Sequence, residues 1–192
     1  DVQGIGVMVR GDSGSGKTTF ANLIAGLIYP TSGEIIYNDK IRYDKKNKLS
    51  PNIGYVPQLT NLFNDTIWNN ITFYEKKKDH LSLKNFDFAI KNSNLIKFIE
   101  TLPEKENTKV GEGLSKISGG QAQRIGIARA LFIKSEFMIF DEATSSLDVD
   151  NEKNIIDTIY SLKNKKTIII VSHKKELLNK CDKIYQIKSK KI

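Results

Sequence analysis

Cysteine is nearly absent from this 192-residue chain, which contains a single one, Cys181. One thiol excludes an internal disulfide and a zinc site built from several cysteines, so nothing in the sequence requires an oxidising compartment. Long apolar runs are missing too. Stretches such as residues 168–171 fall far short of the ~20 residues that a membrane-spanning helix needs. The sequence therefore predicts a chain that does not itself span a membrane and that fits a reducing cytosol.

Basic residues outnumber acidic ones, with 30 Lys and Arg against 22 Asp and Glu, which gives a net charge of +8. Such an excess is compatible with nucleic acid, an anionic membrane surface or a polyanionic ligand. Lysine, asparagine and isoleucine are abundant throughout the chain, and the one lysine cluster, at 76–78, is typical of a solvated turn. Charge alone therefore selects none of these partners.

Short apolar strands alternate with helical segments at both ends of the chain. The predicted strands are 5–9, 137–140, 167–171 and 183–187, and the predicted helices are 17–28, 150–163 and 173–180. Short buried strands separated by helices indicate an α/β domain with a largely parallel sheet.

The middle of the chain has a different pattern. Between about 65 and 135, the helical period recurs at 66–72, 82–92, 94–99 and 119–134, and no convincing strand is found. The sequence therefore predicts one domain in which residues 1–64 and 136–192 form the α/β core and residues 65–135 form an inserted helical lobe.

Residues 11–18 read GDSGSGKT and fit the phosphate-loop pattern G-x-x-x-x-G-K-[ST] between a predicted strand and a predicted helix. The glycines let the backbone N–H groups curl around an anion at a helix N-terminus, where the helix dipole also favours negative charge. A solvent-facing Lys17 would reach the β- and γ-phosphates, and the Thr18 hydroxyl would ligate Mg²⁺. The predicted nucleotide-binding residues are Gly11, Asp12, Ser13, Gly14, Ser15, Gly16, Lys17, Thr18 and Thr19.

Residues 137–142 read FMIFDE, an apolar strand that ends in two carboxylates. In an open α/β sheet, ligands bind at the carboxyl ends of the strands. Because side chains alternate along a strand, the two carboxylates have separate roles: Asp141 would hold Mg²⁺ and Glu142 would face a water aimed at the γ-phosphate.

The order of the motifs resembles the nucleotide-binding domain of ABC transporters over nearly the whole chain. After GDSGSGKT come YVPQ at 55–58, ISGGQ at 117–121, FMIFDE at 137–142, SSLD at 145–148 and SH at 172–173. The resemblance implies the ABC ATPase fold: a mostly parallel sheet, an inserted α-helical subdomain and a small antiparallel β portion. It also implies ATP and Mg²⁺ as cofactors.

The resemblance assigns further roles. Glu142, His173 and Gln58 would be the catalytic residues, with His173 at the γ-phosphate and Gln58 at Mg²⁺ and the attacking water. Thr18, Gln58 and Asp141 would be the Mg²⁺ residues. Gln58 would also lead into the helical lobe, which meets a transmembrane partner in this family.

Domains of this kind pair head to tail, which explains why one chain has two loops suited to phosphate. Residues 118–121 of one domain and the phosphate loop of the other would close on the same ATP. The N-terminal amides of a helix can hold a γ-phosphate, which ADP lacks. The contacts to the partner's nucleotide would come from Ser118, Gly119, Gly120, Gln121 and Asp148, and the pair is either two copies or two different domains.

Two segments resemble exporters of this family: LFNDTIWNNITF at 62–73 and TKVGEG at 108–113. Ile117, Ala122 and the SHK sequence at 172–174 depart from the usual exporter pattern. We therefore expect an exporter domain at the cytoplasmic face of a membrane. The alternatives are an importer ATPase subunit and a soluble ABC-type ATPase acting on nucleic acid or ribosomes, although no nucleic acid is expected for a lobe this short.

Only ten residues precede Gly11, and the aromatic residue that stacks on adenine in this family lies further upstream. We therefore expect a piece of a longer polypeptide with a membrane domain upstream. NKCD at 179–182 matches the guanine-specificity motif of GTPases, but it precedes its strand rather than following one, so Cys181 is expected to be a packed residue.

Overall fold

The structure is a computed structural model that describes residues 4–37, 41–43, 52–75, 79–112, 117–145, 147–163, 166–174 and 179–188. Parts of several sequence predictions lie outside these ranges: the lysine cluster at 76–78, Gly113, Ser146, residues 175–178 of the predicted helix 173–180, and residues 189–192.

In chain order, the strands are β1 (Gly6–Arg10), β2 (Ile35–Tyr37), β3 (Ile41–Tyr43), β4 (Ile53–Val56), β5 (Asp65–Thr66), β6 (Lys109–Val110), β7 (Phe137–Asp141), β8 (Thr167–Val171) and β9 (Lys183–Gln186). The helices are α1 (Lys17–Ile24), α2 (Ile67–Thr72), α3 (His80–Asn92), α4 (Ile96–Glu100), α5 (Gly119–Phe132) and α6 (Val149–Leu162), with a 3-10 turn at Lys105–Asn107.

The central sheet has five strands in the order β4-β7-β8-β1-β9, and every neighbouring pair is parallel. The predicted α/β class is therefore confirmed. β4 was not among the predicted strands. Its Gly54 fits because a Cβ there would lie 2.9 Å from the Ser135 hydroxyl, which accepts the Gly54 N–H.

Side chains on the sheet alternate strictly between two apolar layers, as a strand period of two requires. One layer contains Met8, Met138, Phe140, Ile168 and Ile170 with Ile125 of α5 and Ile155 of α6. The other contains Val9, Ile139, Ile169 and Val171 with Ala21 and Ala25 from the α1 side. Helices thus cover both faces of the sheet.

Local backbone chemistry explains where helices differ from prediction. α1 ends at Ile24 rather than 28 because Gly26 takes a left-handed φ of 71° and Leu27 N–H returns to the Asn22 carbonyl. α3 begins at His80 rather than 82 because the Asp79 carboxylate caps its first amides.

The expectation that residues 65–135 contain no strand is wrong in detail. β5 pairs antiparallel with β6, which places Thr66 opposite Lys109. Two-residue strands have no hydrophobic period that a sequence pattern can reveal. The small antiparallel portion implied by the family resemblance is present as β2 and β3.

The helices between β4 and β7 pack around α5, with α2 and α3 against it. Trp68 is 3% exposed and its ring centroid lies 4.6 Å from that of Phe86, so this aromatic serves packing. Arg129 of α5 donates to the Asn61 carbonyl and to the Asn70 side chain, each at 2.7 Å. Within the described ranges, no helix is both long enough and apolar enough to cross a membrane.

Candidate functional site

Four neighbouring strands deliver the predicted site residues to one edge of the sheet. Gly11 follows β1, Gln58 follows β4, Glu142 follows β7 and His173 follows β8. Because these strands are adjacent and parallel, their carboxyl ends lie side by side. Residues separated by more than 160 positions in the sequence therefore share one cleft.

The phosphate loop, residues 11–19, turns sharply between β1 and α1. Gly14 and Gly16 have φ angles of 75° and 95°, a region in which residues with a Cβ are strained. A Cβ on Gly11 would lie 2.5 Å from both the Ile187 carbonyl and the Ser15 hydroxyl. No side chain in the described part of the chain caps the first turn of α1, so its backbone donors are available to an anion.

Lys17 lies inside the loop rather than facing solvent, at 9% exposure. Its ammonium donates to the Gly11 and Asp12 carbonyls, both at 2.9 Å. An ammonium has three N–H groups, so one remains for an anion in the loop without loss of either contact. The Ser15 hydroxyl is buried with no hydrogen-bond partner among the described residues, which is a second donor suited to such a ligand.

A cavity of about 620 Å³ opens above the loop, a volume within the range of small-molecule sites. Its lining unites the loop with the residues from the other three strand ends: Gly11, Asp12, Ser13, Gly14, Gly16, Lys17, Thr18, Thr19, Gln58, Glu142 and His173. The predicted catalytic residues and nearly all of the predicted nucleotide-binding residues therefore face one space.

Glu142, which lines this cavity, is held in a strained backbone conformation. It is a non-glycine residue with a φ of 48°, and its N–H donates to the Val171 carbonyl at 2.9 Å. Gln58 Nε2 donates to its Oε2 at 3.2 Å, and His173 Nδ1 lies 3.6 Å from its Oε1. The carboxylate is thus oriented from two sides.

Asp141 is 2% exposed and lies behind the cavity lining. Its Oδ2 accepts the Tyr55 hydroxyl at 3.3 Å, whereas its Oδ1 has no partner among the described residues. Burial raises the pKa of Asp141 above its usual value, while hydrogen bonds from Thr18 and Tyr55 oppose the rise. Burial also raises the pKa of Tyr55, so its hydroxyl remains a donor.

These residues fit a hydrated Mg²⁺ ion better than a metal held entirely by protein. Among the described residues, no group of three or more His, Cys, Asp or Glu side chains could hold a metal. Mg²⁺ commonly keeps several waters and uses one or two protein oxygens together with substrate phosphates. The unpartnered Oδ1 of Asp141, beside Thr18, offers such an oxygen.

Residues 118–121 and Asp148 form a second region, which we call the signature face. Ser118 accepts the Gln121 N–H at 3.2 Å, and the Gln121 side chain accepts the Ser118 N–H at 2.9 Å, a complete capping box for α5. Asp148 caps α6 and holds the Asn151 side chain at 2.7 Å. Arg124 reaches towards that Asn151 from α5, at 3.5 Å.

The signature face and the cavity are separate within one chain. Residues 118–121 and Asp148 all belong to the described ranges. None of them lines the cavity. A Cβ built on Gly119 meets nothing within 4 Å. The start of α5 is therefore open to an external group.

The guanine-type motif NKCD has a structural role. Asp182 accepts the Gly6 N–H at 2.7 Å and the Lys163 ammonium at 2.8 Å, at the opposite end of β1 from the phosphate loop. Cys181 lies 3.1 Å from the Tyr160 hydroxyl, and burial raises the pKa of its thiol. Cys181 is a packed residue, as predicted.

Sequence reasoning missed Tyr55, whose hydroxyl lies between Asn22 and Asp141. Its position as the first residue of YVPQ was a signal, because a strand period of two places its side chain on the opposite face of β4 from that of Val56. Sequence reasoning also missed Gln123, which is 2% exposed and contacts the segment around Gln58.

A family model described as ABC transporter matches residues 3–145. The chain is 39% identical over 190 residues to an ATP-dependent lipid A-core flippase of Desulfotalea psychrophila, covering 98% of this chain and 33% of that protein. It is 37% identical over 187 residues to ABC transporter B family member 29, chloroplastic, of Arabidopsis thaliana, covering 97% and 29%.

Among solved structures, a bacterial Atm1-family ABC exporter with ATP bound superposes with a TM-score of 0.82 at 33% identity, over 94% of this chain and 32% of that one. The chain thus spans about a third of the length of the relatives it matches.

Proposed function

Because the chain belongs to the ABC transporter family, as an ATPase domain of the exporter type, we propose that it hydrolyses Mg-ATP in the cavity above residues 11–19. The observation that carries this proposal is the convergence of the phosphate loop, Gln58, Glu142 and His173 on one space at the sheet edge.

Residues 11–19 hold the phosphates. The uncapped amides of α1 and the remaining N–H of Lys17 supply donors at the positive end of a helix dipole. Thr18 and Asp141 would hold Mg²⁺, with Gln58 as the third metal residue. When bound, Mg²⁺ neutralises charge that develops on the phosphate oxygens.

Glu142 orients the attacking water and accepts its proton. The water oxygen forms a bond to the γ-phosphorus as the bond from that phosphorus to the bridging oxygen breaks, and ADP and orthophosphate leave. Gln58 and His173 hold the Glu142 carboxylate and the γ-phosphate in register, since both already lie within 3.6 Å of that carboxylate.

The signature face binds the nucleotide of a second nucleotide-binding domain. The separation of residues 118–121 from their own cavity supports this arrangement. In a head-to-tail pair, the open first turn of α5 would meet the γ-phosphate held by the other domain. ATP would then stabilise the pair, and hydrolysis would release it.

Residues 1–64 and 136–192 form the core of the proposed domain, and residues 65–135 form a helical lobe that meets a transmembrane domain. We place that transmembrane domain upstream in the same polypeptide, and the ATPase domain at the cytoplasmic face of the membrane. The exporter relatives favour this assignment over an importer subunit or an ATPase acting on nucleic acid.

Two measurements on the chain test the proposal. Titration calorimetry should show saturable ATP binding, and a ligand at 100 times its Kd should stabilise the fold by about 2.7 kcal/mol. Orthophosphate release from ATP should require Mg²⁺ and stop when EDTA is added. Absence of nucleotide binding at millimolar ATP would overturn the proposal.

A further inference from the structure

One face of α5 holds the segment that leads away from Gln58. Gln123, Gly126 and Arg129 lie three residues apart, so they project from the same side of the helix. Each contacts the segment 57–63: Gln123 touches Pro57 and Thr60, Gly126 touches Thr60, and Arg129 bonds to Asn61. The helix that begins at the signature face therefore also supports the catalytic cavity.

Gln123 makes the most specific of these contacts. Its Nε2 donates to the Pro57 carbonyl at 2.9 Å, and its Oε1 accepts the Thr60 hydroxyl at 3.2 Å. The side chain is 2% exposed, so water does not replace these bonds easily. The nitrogen and the oxygen of the Gln123 amide are thus both hydrogen-bonded to residues 57–60.

The contact at Pro57 fixes the peptide unit that precedes Gln58. The Pro57 carbonyl and the Gln58 N–H belong to the same planar group, so anchoring that oxygen sets the direction in which Gln58 leaves the backbone. The Gln58 side chain is exposed and reaches Glu142 Oε2 at 3.2 Å. The hydrogen bond to the Pro57 carbonyl therefore helps to hold the Gln58 side chain at the Glu142 carboxylate.

Gly126 sets the distance between the helix and this segment. A Cβ at this position would lie 2.3 Å from Thr60 Oγ1 and 2.9 Å from Thr60 Cγ2. Only glycine allows Thr60 to sit against the helix backbone at this point, which is why a residue unfavourable in a helix interior is accommodated here.

We propose that Gln123 is a positioning residue for Gln58, and that through it α5 couples the signature face to the cavity of its own chain. The inference rests on the proposed function, because it assigns Gln58 and Glu142 to ATP hydrolysis. Movement of α5 when residues 118–121 engage a neighbouring nucleotide would shift Pro57 and, with it, Gln58. Each domain would thus sense occupancy of the other site through two hydrogen bonds.

The test substitutes Gln123→Met, which keeps length and helix preference but removes both hydrogen bonds. We expect kcat for Mg-ATP hydrolysis to fall about 10- to 100-fold, as for a misplaced catalytic group, with KM within about twofold. The matched control is Ser135→Ala, which also removes two hydrogen bonds of a side chain that is 2% exposed, to Gly54 and Phe137, near the other end of β4. A fall in kcat no larger than in this control would overturn the proposal, as would a parallel rise in KM.

A second pair of variants keeps the test valid if Gln123→Met fails to fold. Gly126→Ala forces a methyl group against Thr60 and should lower kcat without weakening ATP binding. Thr60→Ala removes the two closest colliding atoms but also the hydrogen bond to Gln123 Oε1, so Gly126→Ala combined with Thr60→Ala should return kcat to the value of Thr60→Ala alone. A double variant that stays slower than Thr60→Ala would contradict the positioning role.

Glu142→Gln serves as the reference for the proposed function itself. If hydrolysis by the unsubstituted chain does not depend on Glu142, the proposed function fails. If hydrolysis depends on Glu142 and is insensitive to Gln123, the further inference alone fails.

Discussion

The cavity edge and the signature face both use helix N-termini, but they are built in opposite ways. At the cavity, counting only the residues that the structure describes, α1 has no side-chain cap, and Ser15 Oγ and Asp141 Oδ1 are buried without hydrogen-bond partners. At the signature face, α5 and α6 are capped by Ser118 and Asp148. The cavity thus has polar groups available to a ligand, whereas at the signature face the caps of α5 and α6 are formed and a Cβ on Gly119 would meet nothing within 4 Å.

Within the described residues, the loop at 11–19 lines a cavity that it shares with three other strand ends, whereas residues 118–120 and Asp148 line neither that cavity nor the one beside them at Gln121, Arg124 and Asn151. In the function proposed above, the cavity would bind a nucleotide by itself, and the signature face would contribute only when another domain presents one. Substitutions at the cavity should therefore act on one chain, and substitutions at the signature face should act on the pair.

Glu142→Gln should give the largest effect. The amide keeps the size of the side chain but cannot accept a proton from water, so kcat should fall by about 10²- to 10⁴-fold while ATP still binds. Phosphate release and calorimetry measure the two quantities. Glu136→Gln, on an exposed residue outside the cavity, is the matched control and should keep full activity; an equal loss there would remove Glu142 from its catalytic role.

Lys17→Ala should weaken ATP binding, by about 10- to 100-fold in Kd, the range expected for one hydrogen bond from a charged donor. The loop also loses two bonds to its carbonyls, so a small loss of thermal stability should accompany the change. Lys91→Ala removes an exposed lysine elsewhere and should alter neither quantity. Unchanged affinity in the Lys17 variant would contradict the assignment of the cavity.

Asp141→Asn should stabilise the fold while weakening Mg²⁺-dependent binding. Because burial raises the pKa of Asp141 in the folded state, the folded state binds the proton more tightly, and stability falls as pH rises from the unfolded-state pKa through the raised one. The asparagine variant escapes this loss, so its melting temperature should exceed that of the parent at neutral pH, by about 2–4 °C per kcal/mol gained.

That advantage should shrink on acidification below the folded-state pKa of Asp141, where the parent is protonated. Melting curves at several pH values, without nucleotide, measure it. An advantage of the asparagine variant that does not change with pH would show that the carboxylate charge is not its cause.

Ser118→Ala should have the smallest effect on a single chain. It removes the cap of α5, which costs about 1 kcal/mol in the free energy of unfolding, but it should leave the Kd for ATP unchanged. Thr66→Ala is the matched control, because Thr66 caps α2 in the same way, at 3.0 Å from the Asn69 amide. A weaker Kd in the Ser118 variant alone would mean that the signature face touches its own cavity.

The residues of the cavity were predictable because each belongs to a short local pattern at the end of a strand. A glycine-rich turn before a helix, or a carboxylate pair after an apolar run, indicates the local backbone conformation and the position of its side chains without knowledge of the rest of the fold. Because the strands are parallel and adjacent, their carboxyl ends bring these local patterns to the same edge of the sheet. Glu142 was identified in this way, whereas Gln58 and His173 were assigned through the resemblance to the ABC family.

Residues whose role depends on a distant partner were not predictable. Gln123 looks like one more polar residue in α5, and only the fold places it against Pro57, 66 positions earlier. The pairing of β5 with β6 and the early end of α1 at Gly26 likewise depend on contacts or backbone angles that leave no hydrophobic period.

The sharing of one nucleotide between two chains is tested most directly by size exclusion of the Glu142→Gln variant with Mg-ATP and with Mg-ADP. We predict a dimer with Mg-ATP and none with Mg-ADP, because only ATP offers a γ-phosphate to the signature face. Adding Ser118→Arg should abolish that dimer while calorimetry still detects ATP binding, and adding Ser118→Ala, which loses the same cap without the bulk, should preserve more of it. A dimer that survives Ser118→Arg, or that forms equally well with Mg-ADP, would contradict the account.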